Sequence, residues 1–166
     1  MAFKDAWLLE FDHEMGTTRR ILARVPDGDL AWKPHDKSFS LGQLSAHIAN
    51  IPRWVAIACD LDAFDAAQTA DDARARMPES TAGLLKTFDQ NVREARAKID
   101  VQTDAALSAT WTLKQGGHEV FTLPRKAVLR SFIMNHLIHH RGQLSVYLRL
   151  LNVPLPSIYG PTADEG

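Results

Sequence analysis

Cysteine is nearly missing from this chain: one thiol, Cys59, in 166 residues. No intrachain disulfide can form, which fits a reducing compartment and makes the cytoplasm the expected location. An excess of charge of one sign is missing too. Nineteen Lys and Arg against 20 Asp and Glu leave a formal net charge of −1, and the basic residues are spread along the chain. Neither nucleic acid nor an anionic membrane surface is an expected partner. Charges interrupt every apolar stretch well short of the roughly 20 residues that a bilayer-spanning helix needs. The opening Met1-Ala2-Phe3-Lys4-Asp5-Ala6-Trp7 has no basic stretch followed by an apolar one, so neither secretion nor membrane insertion is expected. A glycine-rich phosphate loop and the motifs of serine triads and cysteine proteases are also absent.

What is there is apolar periodicity. With 45% hydrophobic and 23% charged residues, the composition is that of one globular domain over residues 1–166 with a single core. Phe3, Trp7, Phe11, Met15, Thr18, Leu22 and Val25 recur at spacings of three and four and predict a first helix from Phe3 to Arg24, closed by Pro26-Asp27-Gly28. Leu30 to Phe39 reads as a loop. Ser40-Leu41-Gly42-Gln43 has the form of a capping box and opens a second helix with the stripe Leu44, His47, Ile48, Ile51, Trp54, Val55 and Ala58. Pro52 removes the hydrogen bond to the Ile48 carbonyl and predicts a kink or break near Ile51.

Asp60 to Glu79 reads as an acidic loop with a short helix at most. From Ser80 the stripe Leu84, Leu85, Phe88, Val92, Ala95 and Ile99 predicts a third helix. Trp111 to Lys114 and Glu119 to Thr122 flank Gly116-Gly117, a pattern that predicts a small β-hairpin before the last helix. Pro124 suits the first turn of a fourth helix running to Asn152, on the order of 40 Å long at ~1.5 Å per residue. The expected fold class is therefore all-α, a four-helix bundle with a small hairpin and an irregular tail from Pro154.

The fourth stripe carries His136-Leu137-Ile138-His139-His140-Arg141-Gly142-Gln143. On a helix His136 and His140 lie one turn apart on one face and point toward a common centre. His47, on the stripe of the second helix, is the third candidate ligand. A neutral imidazole offers a lone pair without the cost of burying a charge, so three of them in a bundle interior suit zinc or nickel, and iron or manganese as well. Three ligands leave an open position, the arrangement of a reactive metal site. The bland alternative for one histidine, a hydrogen-bonded core residue, is less apt for an i, i+4 pair joined by a third.

Other residues read as bystanders. His139 falls toward the edge of the stripe, and His35 and His118 lie in predicted loops. Glu10 and His13 form a Glu-x-x-His pair, but a di-iron bundle needs a second such motif and further carboxylates that the second and fourth stripes do not supply. Cys59 stands beyond the Pro52 kink. Arg141 is expected to pair with an acid of another helix or subunit, Gly142 to let a neighbouring helix approach, and Gln143 to be an ordinary polar helix residue. Trp54 is a candidate pocket wall.

Leu30-Ala31-Trp32-Lys33-Pro34, Ser40 through Ile48 and Asn135 through Leu144, with the tail Val153 through Glu165, together resemble the DinB family of DinB/YfiT-like proteins. The resemblance implies up-down-down-up connectivity, a homodimer, and a divalent metal held by His47, His136 and His140 with water completing its shell. It also implies a small-molecule substrate. Members include thiol S-transferases using bacillithiol or mycothiol and a mycothiol-dependent maleylpyruvate isomerase. The resulting expectation is a metal-dependent enzyme that activates a low-molecular-weight thiol for S-transfer or isomerisation, with no residue singled out as general base. The alternatives are a hydrolase using activated water and a non-catalytic, stress-related dimeric metal-binding protein.

Overall fold

The computed structural model describes residues 3–68 and 77–165. Four long helical segments pack around one core. The first is α1 (Phe3–Leu22), whose Trp7, Phe11, Met15 and Leu22 are buried as the spacing requires. Its last turn runs on through Ala23 and Arg24, whose amides bond to Arg19 and Ile21.

The loop after Leu30 does more than connect. Its Trp32 and Leu30 carbonyls accept from the amides of Leu41 and Gly42, at 2.8 and 2.9 Å, two donors that a helix start leaves without intrahelical partners. Ser40 accepts from the Gln43 amide while the Gln43 side chain accepts from the Ser40 amide, completing the capping box of α2 (Leu41–Asn50). A Cβ at Gly42 would lie 3.0 Å from the Leu30 carbonyl oxygen, so the close seating of this loop depends on glycine.

Pro52 breaks the second helix into α2 and α3 (Arg53–Asp60). The Ile48 carbonyl, deprived of its usual donor, takes the Ile51 amide instead at 3.3 Å, and buried Asn91 donates to the Ala49 carbonyl at 2.9 Å. That donor comes from α4 (Thr81–Asp100), capped by Ser80 and buried along Leu84, Phe88, Ala95 and Ile99. At the other end of α3, the buried Arg125 guanidinium donates to the Ala58 and Leu61 carbonyls and pairs with Asp62, a cation where a helix C-terminus favours one.

The short α5 (Asp104–Ser108) leads into the hairpin of β2 (Thr110–Gln115) and β3 (His118–Pro124). Gly116 and Gly117 adopt φ of 60° and 82°, the positive values that a two-residue hairpin turn demands. A third strand, β1 (Ala63–Asp65), pairs parallel to β2 with Phe64 opposite Leu113. It was not expected from the sequence. Asp65 clamps the hairpin by accepting from the amides of Gly116 and Gly117 at 2.9 and 2.6 Å. The short helix allowed within residues 60–79 becomes a 3-10 turn at Ala66–Gln68 in the described part; residues 69–76 lie outside the described residues.

The last helical run comprises α6 (Arg125–Ala127), a π-helical stretch Val128–Met134 and α7 (Asn135–Leu150), with helical dihedrals at each junction. The sequence pattern predicts a plain helix here; the π stretch just before His136 is a departure, of a kind that recurs at functional sites. Asn152, at φ 58°, closes the run. The Asn152 and Val153 amides reach back to the Arg149 and Leu148 carbonyls, the paired bonds of a Schellman cap. No described helix is long and apolar enough to cross a membrane.

Arg141 is 1% exposed and forms an ion pair at 2.6 Å with Glu14 of α1, itself buried. The guanidinium also donates to the Glu14 carbonyl and to Thr18 Oγ1, both at 3.2 Å, and to the Tyr159 hydroxyl at 2.5 Å. Tyr159 in turn donates to Glu14. Burial and the Glu14 contact push the phenol above its ordinary range, which keeps it a proton donor. The partner of Arg141 thus lies on another helix of the same chain. Gly142 has nothing within 4 Å of a Cβ built on it, which corrects the expectation that it admits a neighbouring helix. It faces outward, because Arg141 is the residue of that pair turned toward the core.

Candidate metal centre

His47 sits two turns past the Ser40 cap, and His136 and His140 project from α7 one turn apart. The structure brings the three together. His136 Nε2 lies 2.9 Å from His47 Nε2 and 2.9 Å from His140 Nε2. Among the described residues these three form a group able to hold a metal ion, with donor atoms all within 4.8 Å of one another.

The other candidates stay apart. His139 is exposed, with its ring beside His140. His13 is exposed, and Glu10 pairs with Arg130 at 3.1 Å. The His35 ring accepts from the Lys37 amide, and His118 is exposed at the hairpin. Cys59 is outside the cluster. Its half-buried position, followed by the charge of Asp60, raises the thiol to about 11. Alkylation of Cys59 by iodoacetamide at pH 8 is therefore expected to run on the order of 100-fold slower in the native protein than in the denatured chain, as mass spectrometry over time would show; equal rates would place the thiol in an ordinary environment.

The electrostatics keep the imidazoles neutral. Burial, then the neighbouring His140 and His136, lowers His47 to about 4. Burial, then His140 and His139, lowers His136 to about 4. His140 is lowered mainly by burial, while its bond to Gln143 acts in the opposite sense. All three therefore carry a free lone pair at neutral pH.

The protons on the three rings leave room for a cation. Gln143 Oε1 lies 2.6 Å from His140 Nδ1, so Nδ1 holds the proton and Nε2 presents its lone pair inward. His136 Nε2 faces both other rings at hydrogen-bond distance, and a single proton serves only one of those contacts. A cation shared by the three lone pairs satisfies every ring at once, so the donor set fits a divalent ion. Gln143, one helical turn past His140, is the functional residue that sequence reasoning missed. Its i, i+3 spacing was the available signal. Fixing the tautomer of a ligand is worth roughly 10–100-fold in metal affinity. Gln143→Ala is expected to weaken binding by that factor in competition against a chromogenic chelator, with the helical circular dichroism unchanged.

Aromatic rings enclose the cluster. Phe39 and Trp54 flank His47 at centroid distances of 6.1 and 5.7 Å, and Trp54 and Phe132 stand edge-on to His136 at 5.0 and 5.8 Å. Trp54, a candidate wall from sequence, does border the site. Tyr147 ties the preceding loop to α7 by donating to the Phe39 carbonyl at 3.3 Å and by an edge contact with Trp32.

The fold and the cluster now stand beside a match of residues 2–166 to the DinB family model. The chain belongs to the DinB family. Its relatives include the uncharacterized protein YrdA of Bacillus subtilis (strain 168), 26% identical over 164 residues, which cover 97% of this chain and 90% of that protein. Among solved structures, a DinB-like protein from Bacillus cereus ATCC 10987 superposes with a TM-score of 0.73 at 19% identity, covering 93% of this chain and 97% of that one. The DinB-like protein YjoA of Bacillus subtilis gives 0.69 at 18% identity, covering 94% and 99%. At these identities the structural likeness establishes a DinB-like fold, in which the small three-stranded sheet is an addition to the helices.

Proposed function

We propose that this DinB family protein is a metal-dependent enzyme in which His47, His136 and His140 hold one divalent ion, zinc or nickel before iron or manganese. When bound, such an ion supplies a Lewis acid that lowers the pKa of a low-molecular-weight thiol and presents it as thiolate for S-transfer or a thiol-assisted isomerisation. One observation carries the reading: three neutral imidazoles converge with no carboxylate or thiol in their group among the described residues. The remaining face of the site is thereby left to a ligand from outside the chain; Cys59 is not part of the group and is too weakly acidic to serve readily as nucleophile.

The residues around the cluster have separate duties. Gln143 holds the His140 tautomer, and Trp54 and Phe132 limit water beside His136. The test is elemental analysis of the purified protein joined to turnover of a small electrophile with bacillithiol, mycothiol, glutathione or no thiol. About one ion per chain, with turnover that needs both ion and thiol, is the expected result. Full turnover after exhaustive metal removal overturns the proposal, and turnover indifferent to thiol assigns the site to hydrolysis.

A further inference from the structure

Beside the imidazole cluster lies a cavity of about 100 Å³ whose lining includes Trp54, Ile57, Phe64, Trp111, Leu113 and Phe132 and carries no charged side chain. It shares a wall with the candidate metal centre. Trp54 and Phe132 stack at 5.7 Å with planes 15° apart, and both rings also stand edge-on to His136. Part of the lining comes from the sheet, where Phe64 and Leu113 are register partners. Trp111, two residues before Leu113 on β2, shares its face. Ile57, Phe64, Leu113 and Phe132 are partly exposed, so the chamber has a mouth.

Trp111 is 3% exposed and adds its ring to this lining. An apolar, largely aromatic chamber set against a reaction centre has the character of a small-molecule site, whose walls are mostly apolar.

We propose that this cavity holds the apolar half of the electrophile: a single aryl ring, seated among the stacked Trp54 and Phe132 rings and the Phe64 and Leu113 side of the sheet. An enclosed apolar cavity of roughly 150 Å³ takes benzene, so a smaller chamber with an open mouth takes one ring and refuses a fused pair. The inference rests on the reading of the cluster as a reaction centre and names the class of reactant that centre serves. The shared aromatic wall places a ring in the cavity next to His136, with its substituent free to reach the open face of the site.

The test uses the full chain, with and without metal, and reads binding by fluorine NMR. 4-Fluoroacetophenone, a single ring, is expected to show a saturable shift in both forms, and 6-fluoro-2-acetonaphthone, a fused pair, should not bind. Filling the chamber by Ala66→Leu or Ile57→Phe should weaken the ketone more than tenfold while metal content and circular dichroism hold. No saturable shift, equal binding of the fused pair, or binding indifferent to both filling variants overturns the assignment. Because binding is read on the metal-free chain, ketone binding without thiol-dependent turnover sinks the reading of the cluster and leaves the cavity site standing.

Discussion

His136→Ala is expected to abolish the metal binding proposed for this site while leaving the bundle folded. His136 Nε2 is the atom common to both 2.9 Å contacts of the cluster, so its loss leaves His47 and His140 without the donor between them. A full zinc ligand set brings about 10–16 kcal/mol of apparent binding energy; one ligand's share, roughly 3–4 kcal/mol, is a factor of several hundred to a thousand in affinity. Elemental analysis after dialysis is expected to fall from about one ion per chain to a trace. The metal-free fold should hardly notice, because the imidazole is only half-buried and sits in surroundings that penalise its charged form. An unchanged denaturant midpoint for the metal-free variant, together with lost metal, separates this result from simple unfolding. Retention of stoichiometric metal would remove the proposed centre.

Arg141→Leu unfolds the protein at much lower denaturant. The substitution leaves the Glu14 carboxylate in the core without its cation, and breaking one side of a buried ion pair costs about 3–5 kcal/mol, a large part of the ~5–15 kcal/mol that holds a domain together. The double variant Glu14→Leu/Arg141→Leu should recover most of that loss, since two apolar residues can replace a buried pair at little net cost. The two sites share a network, so the deviation from additivity is itself the expected observation. Urea unfolding of the two single variants and the double variant checks it. A loss below about 1 kcal/mol for Arg141→Leu would show that water reaches Glu14.

These two outcomes sit on features of unequal visibility in the sequence. The histidines were legible because they share helical spacing with the apolar residues of α2 and α7 that turn into the core. The four helical segments were legible for the same reason, and the break at Pro52 followed from a missing donor. The partner of Arg141 was not legible, because Glu14 and Tyr159 lie 127 and 18 residues away from it and no local pattern encodes such a meeting. Nor was β1, three residues long with no alternation of burial. Its signal was Asp65, whose role emerges only once the hairpin turn is beside it. The π stretch is a slip in hydrogen bonding that leaves no trace in residue type, since the same apolar residues serve either winding. Gly142 misled because a glycine beside a buried residue suggests close packing; the tight glycine is Gly42.

The separation of His47 from His136 along the chain, 89 residues, has a mechanical consequence. An ion gripped by both would tie α2 to α7 and close a loop that contains α3, α4 and the whole sheet. Closing so long a loop in a disordered chain is entropically costly, so the ion would select the folded form and raise its melting temperature in step with free metal concentration. The cell's supply of metal would then set how long the molecule survives as well as whether it works.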